Sequence, residues 1–169
     1  MIRVLLADDH GLVRDGLGRL LASVPDIEVV AVAADGAEAI RLAQEHRPDV
    51  ILMDLRMPGM DGSEATRRLL EEDPATQVVI LTSFSERDEI LSALDAGAIG
   101  YLLKDAEPDE VIRGVRAAAH GESPLAPKAA RELGNSEKTV KAHLTAIFQR
   151  IGVADRVQAA MWARDHHIR

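Results

Sequence analysis

The sequence predicts an α/β fold, a five-stranded doubly wound parallel sheet over residues 1–120, followed by a small all-α region. Three observations predict it. Short aliphatic runs alternate with segments of helical period through the first 120 residues. Those runs are almost unbroken in their apolarity, as strands covered on both faces require. After His120 the runs cease and only helical spacing remains.

Taken in order, Ile2–Ala7 (IRVLLA) is the first run, and Val13, Leu17, Leu20 and Leu21 then recur along one helical face. The β-branched stretch Ile27–Ala33 is the second strand, with a helical segment over about 37–45 behind it. Val50–Met53 is the third, and its loop holds Pro58, Gly59 and Gly62 before a helix over 63–71. The fourth strand spans Val78–Leu81 and the fifth Ile99–Leu103, with helical segments over 87–94 and 108–119 following them. GESPLAP (121–127) has the composition of a linker, and the remainder, 128–169, offers helices near 128–133, 137–149 and 156–165.

In open parallel sheets, ligands collect beyond the carboxyl ends of the strands. The unusual polar residues lie there. The first run ends in Asp8 and Asp9, the third in Asp54, the fourth in Thr82 and Ser83, and the fifth in Lys104. Each alone has an ordinary explanation. An aspartate at a strand end commonly caps a turn or helix; Lys104 suits a solvated surface, Thr82 a strand terminus and Tyr101 the core. Their common position on successive strands points to a site instead. Three carboxylates crowded together repel unless a cation shares them, and hard oxygen donors suit Mg2+, which keeps several waters and leaves room for a phosphoryl oxygen. A carboxylate is also a competent nucleophile toward phosphorus. An ammonium such as Lys104 can neutralise the transferring group, and Thr82 can hydrogen-bond one of its oxygens.

Composition narrows the setting. The chain has 169 residues, no cysteine and a net charge of −8, which excludes a disulfide scaffold and thiolate metal sites and suits a reducing compartment. No apolar stretch reaches the roughly 20 residues of a membrane span and no leader precedes Ile2, so a soluble, cytoplasmic protein without membrane partners is expected. The charge is uneven. Residues 1–120 carry 23 acidic against 12 basic residues, net −11, and residues 121–169 carry 5 against 8, net +3. An acidic body with a basic tail implies two tasks, one of which can involve a polyanion.

LLADDH (5–10), LMDLRMPGMDG (52–62), ILTS (80–83) and AGAIGYLLKD (96–105) resemble the receiver domain of bacterial two-component response regulators, a flavodoxin-like fold. The stretch SEKTVKAHLTAIFQRIGVADRVQAAMWA (136–163) resembles the helix-turn-helix end of the NarL/FixJ (LuxR-type) subfamily. The resemblance implies that Asp54 is the phosphoacceptor, served by a sensor histidine kinase. It implies that Asp8, Asp9, Asp54 and the backbone carbonyl of Arg56 hold Mg2+, Asp8 assisting through water. Thr82 and Tyr101 correspond to the switch pair, and Lys104 to the lysine that meets the phosphoryl group. Many receivers follow that lysine with proline, whereas this chain has Asp105.

The tail can be read without the family. Ser136 is a suitable helix cap, and Val140, Leu144, Ile147 and Ile151 form one apolar stripe. Lys138, Lys141, Ala142, Thr145 and Gln149 share another face, short-chained and cationic, as a helix entering the major groove of double-stranded DNA should be. An ordinary amphipathic helix with a solvated face is the plainer alternative. By resemblance, Lys138, Thr139, Lys141, Ala142 and Thr145 are the DNA-contacting residues, and Val157, Ala160 and Met161 supply a homodimer surface favoured by phosphorylation. Trp162 suits the core, and the adjacent pair His166–His167 makes a poor chelate. The tail departs from its family, because the opening helix of the type LTPREREVL is absent. Either the chain is naturally shortened here or AREL–GNSEKTV is a junction across roughly 40 missing residues, and as it stands the 49-residue tail has a thin core.

Two rivals remain open. One is a receiver-type module whose tail serves docking or dimerisation without DNA. The other is an aspartate-nucleophile phosphatase of the haloacid-dehalogenase type. That class needs a second aspartate two residues after the nucleophile, where this chain has Arg56, so an enzyme acting on an external substrate is not expected.

Overall fold

The structure, a computed structural model, describes residues 1–83, 86–127, 129 and 131. Five βα units follow one another: β1 (Ile2–Ala7), α1 (Gly11–Ala22), β2 (Ile27–Ala33), α2 (Gly36–His46), β3 (Val50–Met53), α3 (Gly62–Glu72), β4 (Gln77–Thr82), α4 (Arg87–Asp95), β5 (Gly100–Leu103) and α5 (Pro108–Ala119). The strands form one parallel sheet in the order β2-β1-β3-β4-β5. The order reverses between β1 and β3, and such a reversal opens a crevice at the carboxyl ends.

Alternate residues of each strand feed two cores. Val4, Leu6, Val50, Leu52, Val79 and Leu81 face α1 and α5, where they meet Leu21, Val111, Val115 and Ala118. Leu5, Ile51, Met53, Ile80 and Tyr101 face α2, α3 and α4, where they meet Ala39, Ala43, Ala65, Leu69, Ile90 and Leu94. Burial on both faces explains why strands such as Val50–Met53 show no polar alternation. Asp35 and Asp61 cap α2 and α3, each accepting the amide N–H three residues on, at 2.8 Å.

The strands and helices expected over 1–120 appear within a residue or two of their expected ends, whereas the helices expected near 137–149 and 156–165, and most of that near 128–133, lie outside the described residues. One difference bears on the site. β4 runs to Thr82, which pairs with Leu103, so Thr82 lies inside the ladder and not merely after it. Backbone pairing continues where side-chain hydrophobicity has already ended. The stretch 121–127 leaves α5 and lies along β5, where Leu125 makes a parallel bridge to Tyr101. Its Gly, Ser and Pro content describes local turn preference and carries no signal for that partner.

Candidate functional site

The ladder itself assembles the site. Ala7 pairs with Met53, so Asp8 and Asp54 leave adjacent strands side by side. The amide of Asp54 donates to the Ala7 carbonyl at 2.8 Å, and the amide of Asp8 to that of Ala33 at 3.1 Å. Across β4 and β5, the amide of Lys104 donates to the Thr82 carbonyl at 2.8 Å. Both aspartates are buried, 4% and 3% exposed, and Thr82 is wholly so. From the far strand, the Lys104 ammonium reaches back to the aspartates, with Nζ 2.5 Å from Asp8 Oδ2 and 3.0 Å from Asp54 Oδ2.

Burial pushes the Asp54 carboxyl above its ordinary range, with Asp8 adding repulsion and Lys104 opposing it. For Lys104, burial acts to lower the pKa, but hydrogen bonds to Asp8 and Asp54 outweigh it and hold the ammonium charged. The exposed Asp9 and His10 complete the rim, His10 Nδ1 lying 2.9 Å from Asp9 Oδ1 and 3.3 Å from Asp8 Oδ1. Candidate ligand atoms of Asp8, Asp9, His10 and Asp54 all lie within 4.8 Å of one another. Three carboxyl groups and one ammonium meet here, and a set of hard oxygen donors this close together suits a small divalent cation. Thr82 Oγ1 beside them is buried with no hydrogen-bond partner among the described residues.

Tyr101 is fully buried in the β5 core, and burial together with the nearby Glu89 carboxylate raises its pKa well above the usual phenol value. Arg56, two residues beyond Asp54, sends its side chain to Glu89 of α4 in a close ion pair. The structure thus brings together Asp8, Asp9, Asp54, Thr82 and Lys104, with Tyr101 one layer inward. The DNA-contact candidates Lys138, Thr139, Lys141, Ala142 and Thr145 lie outside the described residues.

Four contributors have no sequence signal of their own. His10 stands in LLADDH, but nothing local aims its ring at the carboxylates. Arg14, one turn into α1, donates to the Asp8 carbonyl at 2.5 Å. Glu89 receives Arg56 across a separation of 33 residues. Gly62 opens α3 directly against the Asp54–Leu55 backbone and donates its N–H to the Leu55 carbonyl at 2.7 Å.

A receiver-type fold with an acidic, lysine-closed pocket at its switch point defines a class, and the comparisons agree with it. Residues 4–116 match the family model of the response regulator receiver domain, and residues 127–163 match that of bacterial regulatory proteins of the luxR family. The chain belongs to the two-component response regulators, with a receiver domain and a luxR-type DNA-binding region. It is 39% identical to the transcriptional regulatory protein LiaR of Bacillus subtilis (strain 168), over 99% of both chains. It is 36% identical to the response regulator protein VraR of Staphylococcus aureus (strain Mu3 / ATCC 700698), over 99% of this chain and 98% of that one. The solved structure of a LuxR-family two-component response regulator from Aurantimonas sp. SI85-9A1 superposes with a TM-score of 0.73 at 40% identity, covering 77% of this chain and 93% of that one. The match to LiaR runs over 209 positions against the 169 residues of this chain, a difference of 40. Among the described residues, no helix is long and apolar enough to cross a membrane.

Proposed function

We propose that Asp54 is the phosphoacceptor of this response regulator and that the surrounding residues form its phosphotransfer and switching machinery. The observation that carries this is the Lys104 ammonium held between Asp8 and Asp54, beside a buried Thr82 hydroxyl that has no hydrogen-bond partner among the described residues. In the proposed transfer, an Asp54 carboxylate oxygen attacks the phosphorus of a phosphohistidine on a sensor kinase. A P–O bond forms, the P–N bond breaks, and the histidine leaves with the electron pair. Asp8, Asp9 and Asp54, with the Arg56 carbonyl, would hold Mg2+, which when bound neutralises the charge of the transferring oxygens. Lys104 exchanges its bond to Asp54 for one to a phosphoryl oxygen. Thr82 gains the acceptor it lacks, relieving an unsatisfied buried hydroxyl that costs about 1–3 kcal/mol. Tyr101, on the strand paired with Thr82, follows that movement, and the α4–β5 surface changes with it.

The output follows from the tail. We assign Lys138, Thr139, Lys141, Ala142 and Thr145 to DNA contact and a phosphorylation-favoured homodimer to a two-fold-related site, the protein acting in the cytoplasm as a transcription regulator. Our division is a receiver over 1–120, a connection over 121–127 and an incomplete helix-turn-helix region over 128–169. The second reading, a module whose tail serves docking without DNA, is favoured by the roughly 40 positions of LiaR that have no counterpart here.

Incubation with acetyl phosphate and Mg2+, followed by intact-mass measurement, tests the site. One phosphoryl adduct is expected on the native chain and none on Asp54→Asn. An adduct that persists in Asp54→Asn refutes the assignment. Phosphorylated protein should then shift the mobility of promoter DNA in a salt-dependent manner; no shift at low salt selects the docking reading.

A further inference from the structure

One side chain of the rim takes no part in the transfer described above. His10 occupies the N-cap position of α1, where Ser, Thr, Asp or Asn commonly turns a side-chain oxygen onto the free helix amides. Its ring makes no such bond. The ring turns to the carboxylates instead, with Nδ1 2.9 Å from Asp9 Oδ1 and 3.3 Å from Asp8 Oδ1. The His10 backbone N–H donates to the same Asp8 Oδ1 at 2.8 Å, which holds the residue against the site. The Lys104 ammonium meets Asp8 at its other oxygen, Oδ2. Imidazole and ammonium thus divide the two oxygens of one buried carboxylate, and the ring shares the Oδ1 side with Asp9.

These spacings are those of a coordination sphere. Around a six-coordinate ion with bonds of about 2.1 Å, neighbouring donors lie about 3 Å apart and opposite donors about 4.2 Å. His10 Nδ1 stands at the neighbouring distance from Asp9 Oδ1. A ring nitrogen of His10 also lies within 4.8 Å of ligand atoms of all three aspartates. An ordinary surface pair needs only one carboxylate, whereas a shared ion accounts for the convergence of all four residues. Asp9 and His10 are exposed, so an ion can enter from solvent and keep waters. Cations do not value a nitrogen donor alike. Mg2+ favours oxygen and gives up its waters reluctantly, whereas imidazole suits first-row transition ions, whose affinities rise from Mn2+ to Co2+.

We infer that His10 is a metal ligand and the specificity-determining residue of this site, adding one nitrogen to the aspartate oxygens so that a divalent first-row transition ion such as Co2+ or Mn2+ is preferred to Mg2+. The inference rests on the metal site proposed above and adds a donor to it. It leaves the nucleophile and Lys104 in their roles and changes which ion accompanies them.

Calorimetric titration of the full chain with Co2+ and with Mg2+ tests this. The native chain should bind Co2+ more tightly, and in His10→Ala the ratio of Co2+ to Mg2+ affinity should fall by about tenfold or more. If His10→Ala fails to fold, His10→Gln replaces the ring by an amide and is read in the same way. Pulsed electron paramagnetic resonance of bound Mn2+ supplies a direct signature, a nitrogen hyperfine coupling present in the native chain and lost in the variant. Asp9→Asn separates this site from the His166–His167 pair, because it should weaken Co2+ binding here and leave binding at that pair unchanged. An unchanged affinity ratio, bound Mn2+ without nitrogen coupling, or Co2+ affinity indifferent to Asp9→Asn overturns the inference. Each of those results can stand beside a phosphoryl adduct formed in Mg2+, which leaves the Asp54 assignment intact. Absence of both Mg2+ binding and the adduct defeats that assignment and the role of His10 with it.

Discussion

Gly62→Ala is the most exacting test of how the site is built. A Cβ at position 62 would lie 2.1 Å from the Asp54 carbonyl oxygen, and 2.9 Å from both the Asp54 carbonyl carbon and Leu55 Cα. All three are backbone atoms, so no rotamer change relieves the contact. Ordinary carbon–oxygen contact needs more than about 3 Å, so the α3 entrance and the Asp54 loop must separate by about 1 Å. Gly62 is not among the positive-φ residues, so the cost comes from the contact alone. Overpacking of this kind costs about 1–3 kcal/mol and more where backbone must move, and about 3 kcal/mol is expected here. With a urea slope of about 1–3 kcal/mol/M for a domain of this size, the midpoint should fall by about 1–3 M. A second effect should accompany it, since displacing Asp54 by about 1 Å slows phosphorylation by acetyl phosphate by about 100-fold. Gly16→Ala is the control. It is an exposed glycine in α1 with nothing within 4 Å of the added Cβ, so it should gain about 0.5–1 kcal/mol. A Gly62→Ala midpoint indistinguishable from the native one, or normal phosphorylation with a large loss of stability, would refute the idea that this glycine sets the position of Asp54.

Two further outcomes can be checked by thermal melts. The raised pKa of Asp54 means that its ionised form is disfavoured by folding, a loss of stability that sets in as pH rises through the folded pKa. Asp54→Asn should therefore raise Tm at neutral pH without divalent cations, with a smaller gain in acid, and millimolar Mg2+ should stabilise the native chain more than the variant; a lower Tm in the variant would contradict this. Arg116 holds Asp26 through two hydrogen bonds, at 2.8 and 3.0 Å, and lowers its pKa, so the pair stabilises above the ordinary carboxylate range and is lost as pH falls through the folded value. Asp26→Asn should melt lower at neutral pH, with a gap that closes below about pH 4 and narrows in high salt; a gap independent of pH would disprove the pairing.

Much of this protein is legible before any coordinates. The five strands are continuous aliphatic runs because parallel strands between two helix layers have no wet face, and the helices between them show an apolar stripe because only one side is covered. Asp8, Asp54, Thr82 and Lys104 could be grouped because parallel strands place all their carboxyl ends on one rim. These are consequences of local periodicity, which a sequence states directly. Boundaries were less legible. β4 extends to Thr82 through backbone bonds that hydropathy does not record.

What only the tertiary structure decided is which distant atoms meet. The order β2-β1-β3-β4-β5 puts Asp8 beside Asp54, and the reach of Lys104 across β4 closes the pocket over both. The ion pair of Arg56 with Glu89, the approach of Gly62 to Asp54 and the seating of Ser123–Ala126 on β5 all join stretches of chain that share no period. Such contacts depend on strand order and on the packing of whole helices, so they emerge only when the chain has closed on itself.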